Sequence, residues 1–254
     1  MNNLGYSKFL NFRYIEEISM DEVITKIHPN DGMFVKIEPY HKIGQNALQM
    51  VKKVLFLADR KSEDIKTILD MASGYGRVTR YLSAYFKDSK ISVCDTNKES
   101  IEFCRDTFNT IALHSNDDFK INSQEKFDLI WCGSLLTHLD KEGAKKVFQL
   151  FDNILNKNGI LIFTTHGREI IKTIENMEDG LRGYSEEQLR AVLLGYYDEG
   201  FGFIKIGSRN YGLTVTSPSY IMKMIEDKPN WQIIMYNERK WNNLQDVVAI
   251  IKNK

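Results

Sequence analysis

The chain has 254 residues, 43% hydrophobic and 27% charged, enough to bury a full core as one domain without covalent staples. Lys plus Arg and Asp plus Glu are each 34, for a formal charge of +0, which excludes holding nucleic acid by bulk charge and gives no polybasic membrane-surface binder. The scattered Cys94, Cys104 and Cys132 form no CxxC or Cys/His pair, so they read as buried thiols, with no disulfide frame and no metal site. The first residues lack the apolar core of a signal peptide, and no apolar run is long enough to span a bilayer. The expectation is a soluble, cytoplasmic protein.

In chain order, the pattern predicts an N-terminal helical stretch around 6–27, a turn at 28–32, a segment 37–45 and an amphipathic helix to about Asp59. From Lys66 strands and helices alternate. Strands are expected at 67–71, 90–95, 111–114, 127–132 and 159–165, with helices at 76–86, 98–108 and about 140–156. That alternation implies βαβ crossovers and a largely parallel sheet with helices on both faces. Beyond Gly167 the pattern loosens: a helix at 185–197 and a hairpin (201–206 and 211–216, joined at 207–210). A helix at 218–226 and a final antiparallel pair then close the chain. One domain results, with 1–60 as a helical lid, 66–167 as the core, and 168–254 as an acceptor-side insertion plus final strands.

The most informative segment is Asp70-Met71-Ala72-Ser73-Gly74-Tyr75-Gly76-Arg77, directly after the first strand. Small residues and two glycines let the backbone turn tightly and approach a ligand, and the helix that follows offers free N–H groups. Ligands of open α/β sheets sit at the carboxyl ends of strands. Asp70 lies at the end of the first strand, where it could meet an amino group. Asp95 ends the second, where a carboxylate can accept from both ribose hydroxyls. Asn116-Asp117-Asp118 follow the third, where an adenine amine would be met. Each alone reads as a cap or turn residue; all on one rim point to a nucleoside cofactor.

With these motifs the sequence resembles the class I S-adenosylmethionine-dependent methyltransferases over about residues 66–167. More narrowly it looks like a bacterial subgroup carrying W-C-G-S-L-L-T-H-L-D, F-T-T-H-G-R and a late W-(D/N)-N-x-Q-D-V, here Trp241–Val247. The resemblance implies a Rossmann-like α/β sheet of seven mostly parallel strands whose last pair is antiparallel, with an extra hairpin and helix insertion. It also implies S-adenosyl-L-methionine as cofactor. Members often accompany sugar-transfer enzymes for surface polysaccharides, so the expected reaction is O-methylation of a sugar or glycan-precursor hydroxyl, with no nucleic-acid partner and a possible homodimer. A nitrogen or phosphorus-oxyacid acceptor such as a phosphoramidate is the alternative.

In that reading Asp70 and the 72–76 turn (Ala72, Ser73, Gly74, Gly76) hold the methionine end. Asp95 and Thr96 hold the ribose, and Asn116 and Asp117 the adenine. Cys132 and Ser134 run beside the methionine moiety, and Tyr40 and Gln45 close over the cofactor. A hydroxyl acceptor needs a proton acceptor, and His138 and His166, after the fourth and fifth strands, are the candidates. His41, Arg168 and Tyr211 are expected to contact the acceptor. For Tyr40 and His41, ordinary packing against the first helix is the competing reading. Tyr196, Tyr197, Phe201, Phe203 and Tyr211 form either a sugar-stacking surface or a small core under the hairpin. Asp140 reads as a helix N-cap. Two rivals stand beside this reading. A nicotinamide-dependent oxidoreductase would require a glycine where the chain has Thr79. A non-catalytic partner would keep the cofactor fold as a scaffold.

Overall fold

The computed structural model describes residues 20–121, 123–176, 181, 183–207 and 211–253. Within them, helix α1 is Ile37–Leu57, β1 Thr67–Met71, α2 Thr79–Tyr85, β2 Lys90–Asp95, α3 Lys98–Phe108, β3 Ile111–His114, β4 Phe127–Cys132 and α4 Lys141–Ile154. They are followed by β5 Leu155–His166, α5 Arg168–Glu175, α6 Glu186–Glu199, β6 Phe201–Lys205, β7 Gly212–Thr216, α7 Pro218–Glu226, β8 Trp231–Trp241 and β9 Gln245–Lys252. Caps fix several boundaries. Asn97 accepts from the Ser100 N–H, Asp140 from Gly143, and Ser185 forms a capping box with Gln188. Ser217 caps α7 with Pro218 in its first turn.

Seven strands form one sheet in the order β3-β2-β1-β4-β5-β9-β8. The first five are parallel; β9 runs antiparallel between β5 and β8. Chain direction across the sheet reverses between β1 and β4, which opens a crevice at their carboxyl ends. β6 and β7 pair only with each other as a separate two-stranded sheet inserted between β5 and β8.

Because strand side chains alternate faces, one run of sequence feeds two cores. Ile68, Trp131, Ile160, Ile162 and Val247 face α1 through Ala47, Leu48 and Val51. Leu69, Ile130, Leu161 and Phe163 face the other way, onto Val147, Phe148 and Phe151 of α4 and Ile221 and Ile225 of α7. All of these strand residues are fully buried, and a buried side chain of this size contributes roughly 1.5–3 kcal/mol. A third, small core joins Ile170, Ile171 and Ile174 of α5 to Val192 of α6 and Leu213 and Val215 of β7. Tyr196 packs against it, Phe201 packs against Tyr220, and Tyr197 and Tyr211 are exposed, so the aromatic group under the hairpin does not form one core.

Three expectations are revised. The segment 37–45 and the following helix are one continuous helix, broken by no turn. Of the expected helix at 6–27, residues 6–19 lie outside the described residues. Met20–Glu22 is a single 3-10 turn, and 23–27 have no regular structure. Arg80 accounts for that extended path: its guanidinium donates to the carbonyls of Ile24 and Lys26 and so straps them to the domain. The helix after the glycine turn starts at Thr79, since positive φ at Gly74 and Gly76 excludes helix before it. No helix among the described residues is long and apolar enough to cross a membrane.

Candidate active site

The β1/β4 crevice opens into a cavity of about 890 Å³. On one side lies the glycine turn. Ala72 (φ 60°), Gly74 (52°) and Gly76 (79°) all take left-handed backbone. The turn is pinned when Ala72 and Ser73 donate their N–H groups to the Cys94 carbonyl at the end of β2, at 2.8 and 3.2 Å. A Cβ on Gly74 would meet nothing within 4 Å, whereas one on Gly76 would stand 2.5 Å from the Phe108 ring. Gly74 therefore keeps space open toward a ligand, and Gly76 lets α3 pack closely.

The acids divide by environment. Asp70 is buried and accepts from the Thr79 hydroxyl at 2.6 Å. Burial pushes its carboxyl up to about 7, aided by the Asp95 charge and opposed by the Thr79 hydrogen bond. Asp95 is half-buried, takes the Gly74 N–H at 2.9 Å and the Asn97 N–H at 3.0 Å, and lines the cavity beside Thr96. Ser115, Asn116, Asp117 and Phe119 continue this wall. The Asn116 side-chain oxygen already accepts from the N–H groups of Asp118 and Lys120, so it shapes its own loop.

Gly133 and Ser134, directly after β4, also line the cavity. Ser134 (φ 60°) donates its N–H to the Thr164 hydroxyl, and its own hydroxyl accepts from the Gln245 amide at 2.7 Å. Thr164 in turn donates to Gln245 at 2.6 Å. Gln245, Trp131 and Trp241 line the cavity, and a Cβ on Gly133 would stand 2.8 Å from the Trp241 ring. Here the late W-N-N-L-Q-D-V element acquires a function. Asn242 and Asn243 both adopt positive φ, the backbone that tight β-hairpin turns need. That turn sets Trp241 opposite Gln245 across the β8–β9 pair. The Asn-Asn step between two apolar runs was the available signal for these two residues, which motif spacing alone left unassigned.

His138 and His166 stand together, their ring centroids 6.4 Å apart. Each Nδ1 faces a main-chain carbonyl of β7: Gly212 for His138 at 2.8 Å and Thr214 for His166 at 3.2 Å. A carbonyl only accepts, so both Nδ1 atoms carry the hydrogen and both Nε2 atoms keep a lone pair. Burial lowers both below the ordinary histidine range, and His166, also disfavoured by the neighbouring His138, falls to about 4. Tyr211 stacks on His138 at 4.2 Å, and with Ile206 and Gly207 it brings the hairpin tip to the cavity wall. The site thus holds two neutral imidazoles competent to take a proton.

Other expected site residues lie elsewhere. Tyr40 is buried, donating to Asp31 at 2.7 Å and accepting from Arg80, and does not line the cavity. His41 pairs with the Tyr81 hydroxyl at 3.0 Å, and Gln45 is off the wall; the packing reading of Tyr40 and His41 prevails. From the N-terminal segment it is Asp31 and Met33 that line the cavity. Cys132 is fully buried on the α4 face and away from the wall, because strand alternation turns it from Trp131; Cys94 takes a wall position instead. Arg168 is exposed and forked onto Glu238. His114 meets the Thr96 carbonyl and His28 stacks on Tyr75, as turn and strand residues.

Comparison with known proteins follows the same lines. Residues 68–159 match a family model described as a methyltransferase domain. Curated relatives include a malonyl-[acyl-carrier protein] O-methyltransferase of Bacteroides fragilis, 27% identical over 59% of this chain and 31% of its own. Another protein of that name, from Halalkalibacterium halodurans, is 28% identical over 64% of this chain and 60% of its own. The chain thus spans less than two thirds of these relatives' lengths. Among solved structures, an S-adenosylmethionine-dependent methyltransferase from Clostridium acetobutylicum superposes with a TM-score of 0.57 at 15% identity, over 87% of this chain and 93% of that one. A plantazolicin methyltransferase complexed with a substrate analogue and S-adenosylhomocysteine gives 0.56 at 13%, over 85% and 88%. Residues 68–159 thus match a methyltransferase-domain model, and the chain has the fold of the class I S-adenosylmethionine-dependent methyltransferases.

Proposed function

We propose that the chain transfers the methyl group of S-adenosylmethionine to a hydroxyl of a small or glycan-linked acceptor, as a sugar O-methyltransferase of bacterial surface-polysaccharide assembly would. The observation that carries the hydroxyl reading is the pair of neutral, Nε2-accepting histidines. An alcohol must lose its proton as its oxygen is alkylated, and a positioned base adds about 10²–10⁴-fold. The cofactor, when bound, supplies a methyl group already activated on a sulfonium. The protein's part is to hold, align and dehydrate. The cavity wall fits that group: Asp95 for the ribose hydroxyls, Asn116 and Asp117 for adenine, the open face of Gly74 for close backbone approach, and Gln245 and Ser134 beside the methionine arm. At the acceptor end, His138 or His166 takes the hydroxyl proton on Nε2, with Tyr211 as an aromatic face for a sugar ring.

A second reading follows from the names of the curated relatives, which are O-methyltransferases of a malonyl group on a carrier protein. A carboxylate needs no base but favours a cation. The two Nε2 lone pairs of His138 and His166 are what a hydroxyl acceptor would use and a carboxylate would not, so the hydroxyl is favoured. The deciding experiment incubates the protein with labelled cofactor and a panel of sugar nucleotides, glycan precursors, phosphoramidates and malonyl-carrier protein. A labelled sugar methyl ether is expected, and a labelled methyl ester instead would transfer the site to the second reading. The cofactor side has its own test: Asp95→Ala should weaken S-adenosylmethionine binding more than tenfold, a loss of about 1.4 kcal/mol or more. Unchanged affinity by calorimetry would remove the ribose assignment.

A further inference from the structure

Three apolar side chains line the cavity and yet stand in solvent: Met33 is 65% exposed, Ile206 45% and Tyr211 46%. A side chain that does both sits at the mouth. Val35 at 81% and Ile37 at 68% follow Met33 in the chain. None of these five belongs to a buried hydrophobic cluster among the described residues. Their outward position is built, not slack. Asp31 holds the turn, its side chain accepting the Met33 N–H at 3.0 Å and its carbonyl the Phe34 N–H at 3.0 Å, while Phe34 packs onto the Tyr40 ring. Across the hairpin Ile206 donates its N–H to the Tyr211 carbonyl at 2.8 Å, which pairs these two. Single exposed apolar side chains are ordinary on a protein surface; a group of them at a cavity mouth marks a binding surface.

Continuity with the cavity identifies the occupant. Met33 precedes α1, whereas Ile206 and Tyr211 belong to the β6–β7 hairpin, and what they share is the cavity they line. A flat partner such as a second copy would close the mouth that an acceptor must pass; a ligand reaching in from outside touches both segments. Inside, Leu135 and Leu139 bracket His138 in sequence and line the same cavity, so apolar surface continues to the imidazole. We infer that the acceptor of the methyl-transfer reading above, on which this rests, is amphipathic: its hydroxyl-bearing head lies at His138 and His166, and an aliphatic or isoprenoid chain leaves through Met33, Ile206 and Tyr211. Among glycan acceptors this selects a sugar carried on a lipid chain over a sugar nucleotide, whose diphosphate would lie against apolar side chains.

The test measures equilibrium binding by calorimetry to protein saturated with S-adenosylhomocysteine, with every probe below its micelle concentration. The probes are methyl, butyl and octyl glucoside, with ethanol and octanol as a pair that carries the chain without the sugar. Each fully buried methylene strengthens binding roughly fourfold, so burial of two suffices for tenfold. Octyl glucoside should bind at least tenfold more tightly than methyl glucoside. The double variant Met33→Gln, Ile206→Gln alters two exposed side chains; it should erase that preference and bind S-adenosylhomocysteine as before, and each single substitution should give part of the loss. Equal affinity for long and short chains in both series, or a preference that survives the double variant, would overturn the amphipathic acceptor. So would loss of S-adenosylhomocysteine affinity in the variant, which would place Met33 on the cofactor, or a native dimer that the variant dissolves, which would give the surface to a second copy. Octanol binding in preference to ethanol with no glucoside bound would uphold the apolar chain and remove the sugar from the proposed function. Methylation of sugars without any effect of chain length would do the reverse. A native protein that bound no S-adenosylhomocysteine would remove the cofactor reading and the amphipathic acceptor with it.

Discussion

His138→Asn and His166→Asn are expected to retain a folded protein while one of them loses about 10²–10⁴-fold in kcat. The choice of asparagine matters. Its amide nitrogen stands where Nδ1 stood and can still donate to the Gly212 or Thr214 carbonyl, so the hairpin stays attached while the Nε2 lone pair is gone. If neither variant falls by even tenfold, the site has no histidine base. The pH profile identifies the agent. The neutral imidazole is the competent form, so kcat should hold through neutrality and drop as pH falls through the base's pKa. A His166 base places that drop near 4. A His138 base, lowered by burial, likewise places it below the ordinary 6.5. Stability follows the same sign. Unfolded His166 takes its proton near 6.5 and the folded residue only near 4, so the unfolded chain binds the extra proton between those values. Stability is complete above 6.5 and declines on acidification, by on the order of 3 kcal/mol for this group, measurable as a falling denaturation midpoint.

The second large effect separates the two glycines of the turn. Gly76→Ala combines left-handed backbone at φ +79° with a Cβ driven to 2.5 Å from Phe108 and 2.9 Å from Cys104. Strain of roughly 1–2 kcal/mol and overpacking of roughly 1–3 kcal/mol should together lower the urea midpoint sharply. Gly74→Ala meets no atom within 4 Å and carries only the strain at φ +52°. It should stay folded yet lose cofactor affinity, because the new methyl projects into open cavity space. Equal destabilisation by both substitutions would show that the turn is uniformly packed and that Gly74 keeps no room for a ligand.

The contrast shows why some of this was legible in the sequence. The βα alternation, the small residues at 72–74 and the acids at strand ends are local patterns, and each sits in the sheet where its strand puts it. Cys132 misled because a strand-end position does not say which face a side chain takes; one residue's alternation sends Trp131 and Cys132 to opposite cores. Tyr40 misled because its hydroxyl is claimed by Asp31 and Arg80, distant in sequence and invisible to periodicity. Gln245 and Trp241 required the β8–β9 register. Long-range pairing was the missing information in every case.

The two histidines owe their tautomers to carbonyl oxygens of β7, atoms that every amino acid carries. Truncating hairpin side chains one by one would therefore leave this orientation standing and could make the insertion look dispensable. Side chains of the hairpin can therefore change while the Nδ1 hydrogen bonds of His138 and His166 stay in register, provided the strand path is kept.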